Sequence, residues 1–285
     1  MVKLDLTGKI CLITGGNAGI GKETAKGIAK LGATVILACR NLEKGKRAMQ
    51  EISQFSGNSN IDIFECNLSQ PESIRKFVSK FTDKYSQLHI LINNAAGFFY
   101  KRQETKEGYE LTFATNYLGP FLLTNLLLDT MKVSSPARII NVSSNGQMMA
   151  KLTEKNIMLK KGYSSIKAYG NSKLALTMFT YELAHRLNGT GIDVNAVHPG
   201  EIKTGFGVSN APWYFKPMHA LGSLFKKTPE KGAITSIYLA SSPEVEGVTG
   251  KYFIKCQPKR STKKSYNIEW HHKIWAIGKK LTGLQ

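Results

Sequence analysis

The chain has 285 residues, 42% of them apolar, which is enough for one well-buried core. No stretch reaches the ~20 uninterrupted apolar residues of a membrane-spanning helix; the nearest, Tyr117–Leu128, carries Pro120, Thr124 and Asn125. The net charge is +19, of which residues 251–285 supply +8 with nine Lys/Arg against one acid, and it favours anionic partners without dictating a fold.

Met1–Gly8 alternates charged and apolar residues and lacks the apolar run of a signal peptide, so a cytoplasmic protein is expected. Short β-branched runs then alternate with helical stretches. Lys9–Thr14 reads as a buried strand, followed by a glycine-rich turn and a helix through Lys30. Thr34–Cys39, Ile61–Cys66, Leu88–Asn93, Arg138–Val142 and Ile192–Val197 read as further strands, with Tyr252–Ile254 a shorter one. Near-continuous apolar strands separated by helices predict an α/β, doubly wound parallel sheet covered on both faces, in a single domain. Cys11, Cys39, Cys66 and Cys256 show no metal-ligand spacing, so reduced thiols and no metal are expected.

Residues 14–21, TGGNAGIG, follow the first strand directly and place glycines at 15, 19 and 21. Glycine allows backbone to approach a ligand closely, and the helix N-terminus beyond offers N–H groups to a pyrophosphate. The second strand ends in Ala38-Cys39-Arg40-Asn41, with no acid where a ribose diol would be held. A guanidinium there suits a 2′-phosphate, which favours NADP, and Lys44 and Arg47 add to the positive field.

Leu111–Met131 is strongly apolar but is interrupted at Gly119-Pro120. Proline has no N–H, so the carbonyl of Asn116, four residues earlier, loses its helical donor. Arg138–Ser144 ends a strand at the carboxyl edge, where Ser144 is placed to bond a substrate oxygen. Tyr169 and Lys173 lie four apart on one face of a helix that Tyr169 is expected to open and that runs to about Asn188. An ammonium near a phenol favours the phenolate and so lowers the tyrosine pKa. His198–Thr204 forms a tight turn at the same edge.

With these motifs in order (TGGNAGIG, NNAAG at 93–97, ATNYLG around Asn116, NVSS at 141–144, YGNSK at 169–173 and HPGEIKT at 198–204), the sequence resembles the short-chain dehydrogenase/reductase family over nearly its full length. Within it, ACRNLEKG, the spacing of Ser144 from Tyr169 and FKKTPEKGA are similar to the retinol dehydrogenase branch. The resemblance implies a three-layer α/β/α Rossmann fold and a catalytic tetrad of Asn116, Ser144, Tyr169 and Lys173. In such a tetrad Tyr transfers the proton, Ser orients the substrate oxygen, Lys lowers the Tyr pKa and holds the nicotinamide ribose, and the Asn main-chain carbonyl holds a water. It also implies an NADP (NADPH) site built from Gly15, Asn17, Gly19, Ile20, Gly21, Arg40, Asn41, Asn67, Leu68, Asn93, Ala95, Tyr169, Lys173, Pro199, Gly200, Ile202 and Thr204. Two positions depart from the family pattern: Asn67 stands where an Asp is usual, and Ala96 replaces the glycine of NNAG, with Gly97 following.

The expected domain spans 1–257, with a substrate lid at about 205–227 rich in Phe, Trp and Tyr, and a basic helical tail follows at 258–285. Trp270, Ile274, Ile277, Leu281 and Leu284 recur at helical spacing, a stripe that suits either an acidic membrane surface or the protein's own core. The expected partner is a small lipophilic carbonyl or alcohol, retinoid-like or otherwise apolar, and the tail leaves peripheral membrane contact open beside docking on the core. Nucleic acid is not expected as a partner, and the sequence does not set an oligomeric state. Two alternatives to an alcohol dehydrogenase/carbonyl reductase stay open: epimerase or dehydratase chemistry on a similar Tyr–Lys pair, and an NADP-binding sensor with weak turnover.

Overall fold

The computed structural model describes residues 5–201 and 228–284. Strands and helices alternate as β1 (Ile10–Thr14), α1 (Gly19–Ala29), β2 (Thr34–Cys39), α2 (Leu42–Ser56), β3 (Ile61–Glu65), α3 (Pro71–Lys84) and β4 (Ile90–Asn93). After a loop come α4 (Leu111–Phe113), a π-helical turn (Ala114–Leu118), α5 (Gly119–Lys132), β5 (Ala137–Val142), a 3-10 turn (Asn145–Met149), α6 (Ser165–Arg186) and β6 (Ile192–His198). The chain closes with α7 (Pro229–Ser241), β7 (Tyr252–Ile254), β8 (Gln257–Lys259) and α8 (Ile268–Thr282).

The described strands form one sheet in the order β3-β2-β1-β4-β5-β6-β7-β8. All neighbours pair in parallel except β7 and β8, which form an antiparallel hairpin. The sequence did not signal β8, because Gln-Pro-Lys has neither an apolar run nor alternation and is exposed throughout. Strand order reverses between β1 and β4, opening a crevice at the carboxyl edge where ligands bind in open α/β sheets.

Helices cover both faces. The side chains of Ala25 and Ile28 from α1, Ala48 and Ile52 from α2 and Leu239 from α7 close one apolar core against Ile13, Val35 and Ile92. Phe77, Phe121, Phe179 and Ile274, from α3, α5, α6 and α8, close the other against Leu12, Leu91 and Ile139. The four cysteines are unpaired and buried.

Gly119-Pro120 does not break its helix. Pro120 sits in the first turn of α5, where its missing N–H costs little, and the preceding turn widens to a π-helix centred on Asn116. Taken as one run, Leu111–Lys132 is long and apolar enough to cross a membrane, but most of it lies inside the core. A second difference concerns α6, which starts at Ser165, so Tyr169 and Lys173 lie in its second and third turns. Ser164 and Ser165 are equivalent as cap signals, and Ser164 makes no capping bond, so the sequence held no sharp start there.

Four residues of the apolar stripe face inward: Ile274 is in the core, and Trp270, Leu281 and Leu284 pack against it. The Trp275 ring meets Phe121 edge-on at 5.2 Å and stacks on Phe179 at 5.9 Å, while Ile274 is fully buried. Arg186 lies over Trp275 at 4.1 Å, and the Tyr117 hydroxyl donates to the Ile274 carbonyl at 2.7 Å. Arg75 closes the far end by donating to the carbonyls of Thr282 and Gly283. Of the two surfaces the stripe suits, it is the protein's own core that it covers.

Candidate active site

The glycine-rich turn leaves β1 at the reversal of strand order. Gly15 has φ +66°, a conformation that strains any side chain, and a Cβ on it would lie 3.0 Å from that of Ala95. A Cβ on Gly21 would lie 2.4 Å from the Gly15 carbonyl oxygen, so only glycine lets α1 sit this close to the turn. The Thr14 hydroxyl accepts from the backbone N–H groups of Asn94 and Ala95 at 2.9 and 3.0 Å, and Asn94 Nδ2 donates back to the Thr14 carbonyl. The turn is thus stitched to the exit of β4. Thr14 and Asn94 stood in the TGGNAGIG and NNAAG motifs without an assigned role, because the bond between them spans eighty positions.

At the start of α1, Ala18 is extended and gives no side-chain cap, and the first turn holds no acid. Its N–H groups, beside the partly exposed Asn17, Gly19 and Ile20, are therefore suited to a phosphate. Arg40 is exposed at the end of β2. Asn41 beside it is also exposed, but its side chain caps α2 by accepting from Lys44 N–H at 2.8 Å. Asn67 Oδ1 accepts from the backbone and hydroxyl of Ser69, which fixes the loop after β3, and Leu68 is buried next to it. Asn93 is 1% exposed: its Nδ2 donates to Thr124 Oγ1 and Asn141 Oδ1, so its amide serves a core network beneath the crevice. Pro199 and Gly200 follow β6 at the same edge, Gly200 with φ +94°. Ile202, Thr204 and the lid at 205–227 lie outside the described residues.

Three elements converge beside this crevice. Ser144 lies two residues beyond β5 and caps the 3-10 turn, its hydroxyl accepting from Gly146 N–H at 3.0 Å. The 3-10 turn can then lie on Tyr169 because Gly146 has no side chain; a Cβ there would sit 2.8 Å from Tyr169 Cε1. Burial raises the Tyr169 phenol above its ordinary value, and the Ser144 hydroxyl, hydrogen-bonded to it, pulls the other way. Lys173 is 2% exposed, and its Nζ donates to the Val142 carbonyl at 2.7 Å and lies 5.8 Å from the centre of the Tyr169 ring. Burial brings its ammonium down to about 7. In the protein alone burial is the larger influence on the phenol, and desolvation also weakens the charge that Lys173 would offer it.

Asn116 is fully buried in the π turn. Its Oδ1 accepts from Gly97 N–H at 2.6 Å, while Nδ2 donates to the Gly97 carbonyl and to Ser172 Oγ, both at 3.0 Å. Phe98, next to Gly97, brings its ring to 5.7 Å from that of Tyr169. Phe99 is held behind it by Tyr163, whose hydroxyl donates to the Phe99 carbonyl at 2.6 Å. The aromatic run at 98–100 was a visible signal for a wall beside the phenol. The structure brings Asn116, Ser144, Tyr169 and Lys173 to one end of the sheet, next to the glycine turn.

Residues 9–214 match the family model described as short chain dehydrogenase. Retinol dehydrogenase 12 of Mus musculus is 39% identical over 99% of this chain and 89% of that protein. Human retinol dehydrogenase 14 is 39% identical over 97% and 87%. Among solved structures, an uncharacterised protein from Mycobacterium paratuberculosis superposes with a TM-score of 0.80 at 27% identity, covering 99% of this chain and 96% of that one. The chain belongs to the short-chain dehydrogenase/reductase family. It is an oxidoreductase similar in sequence to retinol dehydrogenases.

Proposed function

We propose that this chain is an NADP-dependent alcohol dehydrogenase/carbonyl reductase acting on apolar, retinoid-like or other lipophilic carbonyls, with Tyr169 as proton donor and acceptor. The observation that supports it most is Tyr169 itself: a buried phenol hydrogen-bonded to Ser144, one helical turn from a desolvated lysine.

The residues present fit the cofactor. The uncapped start of α1 and the cradle at Gly15 and Gly21, which a Cβ would fill, suit a pyrophosphate. Arg40, exposed and without an acid at its strand end, suits the 2′-phosphate. Asn17, Gly19, Ile20, Asn41, Asn67, Leu68, Ala95, Pro199 and Gly200 belong to the same proposed set with Ile202 and Thr204, and Asn93 supports it from the core beneath. NADPH bound there supplies the hydride. A solved short chain dehydrogenase from Shigella flexneri complexed with NADP superposes at a TM-score of 0.69 and 25% identity, over 88% of this chain and 98% of that one.

In reduction, Ser144 orients the substrate oxygen and the Tyr169 hydroxyl gives it a proton; in oxidation Tyr169 takes the proton back. The raised phenol keeps that proton at neutral pH, which suits reduction. Lys173 holds the nicotinamide ribose and, when protonated, stabilises the phenolate. The Asn116 carbonyl, whose i+4 partner is Pro120, holds a water that returns the proton to Tyr169. The names of the retinol dehydrogenase relatives and the aromatic wall at Phe98 support a lipophilic substrate.

Tyr169→Phe tests this directly. NADPH binding, read by fluorescence, should persist, while turnover of an aldehyde panel including retinal falls about 10²- to 10⁴-fold. Turnover close to wild type would refute the assignment of the proton to Tyr169.

A further inference from the structure

Ser172 lies between Tyr169 and Lys173 and has no exposed surface. Its hydroxyl donates to the Tyr169 carbonyl at 2.8 Å, a bond back to residue i−3 that serines in helices often make. Its second bond is less ordinary. Ser172 Oγ also accepts from Asn116 Nδ2 at 3.0 Å, reaching from α6 across to the π turn. The rest of the Asn116 amide is closed on the backbone of Gly97, through Oδ1 at 2.6 Å and Nδ2 at 3.0 Å.

We propose that Ser172 is a positioning residue for the reaction: its hydroxyl fixes the backbone that carries Tyr169 relative to the turn that carries Asn116. Resting on the reading of Tyr169 as proton donor, this adds a residue that touches neither substrate nor cofactor. A π turn has looser internal bonding than an α turn, so its register needs an external tie. The Asn116 side chain supplies that tie on two sides, to the exit of β4 at Gly97 and to α6 at Ser172. A hydroxyl is required because the position must accept from an amide and donate to a carbonyl at once. Removing it leaves Asn116 attached to Gly97 alone, so the phenol and the Asn116 carbonyl lose their common reference. Small displacements at a reacting centre cost rate more than they cost binding.

The experiment compares Ser172→Ala, Ser172→Thr and Tyr169→Phe with wild type, in the full-length chain with NADPH and retinal or another turned-over aldehyde. Ser172→Ala should lower kcat about tenfold, with NADPH affinity by fluorescence within about twofold of wild type. Ser172→Thr, which keeps the hydroxyl, should recover at least about half of the lost rate. The proposal is overturned if Ser172→Ala keeps kcat within about twofold, or if its kcat and NADPH affinity fall together, as general loosening would cause. It is also overturned if Ser172→Thr binds NADPH normally yet stays as slow as the alanine variant. Should the added methyl prevent NADPH binding, the kcat-against-affinity split of Ser172→Ala decides alone. An active Ser172→Ala beside an inactive Tyr169→Phe defeats only this proposal; an active Tyr169→Phe defeats the reading beneath it.

Discussion

The two halves of the crevice are built from different materials. Around β1, β2 and β4, the glycine turn works through backbone: Gly15 and Gly21 matter for the side chain they lack, and Arg40 and Asn41 stand exposed at the rim. Around β5 and α6, Lys173, Asn116 and Ser172 are buried polar side chains, each satisfied by a named partner. On the proposed reading the first half recognises by shape, and its demands are steric. The second would carry the chemistry through desolvated groups, where leaving one donor or acceptor unpaired costs about 1–3 kcal/mol. Substitutions should therefore fail differently: by loss of binding in one half, by loss of rate in the other.

The sharpest test in the nucleotide half is Gly21→Val. Its branched side chain would overlap the Gly15 carbonyl and Asn94 Nδ2, with no flexible group free to yield. NADPH binding should weaken roughly 100-fold or more, about 3 kcal/mol, while far-ultraviolet circular dichroism stays native. If rate fell with affinity intact, the division between the halves would be wrong. Arg40→Ala should act more mildly. Losing one charge-assisted phosphate contact is worth about 1.5–3 kcal/mol, so KM for NADPH should rise about 10- to 100-fold and KM for NADH hardly move. Equal changes for both cofactors would remove Arg40 from the 2′-phosphate site.

The same contrast explains what could be read from the sequence. The parallel sheet was legible because β1, β2, β4, β5 and β6 are apolar runs with helices between them, and periodicity reports burial on both faces. The glycine turn was legible because steric demands leave a fixed local pattern. The position of the Tyr–Lys pair was legible too, but not its environment. Val142, which holds Lys173, is thirty-one residues away in sequence, and Gly97, which clamps Asn116, is nineteen away. Spacing cannot show that Lys173 is desolvated, nor that burial is the larger influence on Tyr169. Nor could it show that Asn93 turns its amide into the core, since a polar residue at a strand end reads as a ligand group. The π turn is a similar case: Pro120 announced a disturbance without saying whether the helix would break or widen.

The smallest effect follows from that desolvation and bears on stability rather than turnover. In the cofactor-free protein Lys173 is brought down from 10.5 to about 7 by burial. Between these two values the unfolded chain holds the lysine proton and the folded chain does not, so stability should rise as pH increases through this window. Below about 7 both states hold the proton, and the folded protein carries the whole cost of a buried ammonium. Lys173→Met removes that cost together with the bond to the Val142 carbonyl, and losing the bond is an offset independent of pH. The Tm of the variant relative to wild type should therefore be most favourable at pH 6 and should decline steadily by pH 9, by differential scanning fluorimetry without cofactor. Arg40→Ala, made at an exposed cation in the other half, should show no such slope. A flat difference for Lys173→Met, or an equal slope for both variants, would mean that the buried lysine is not the group that sets the chemical half apart.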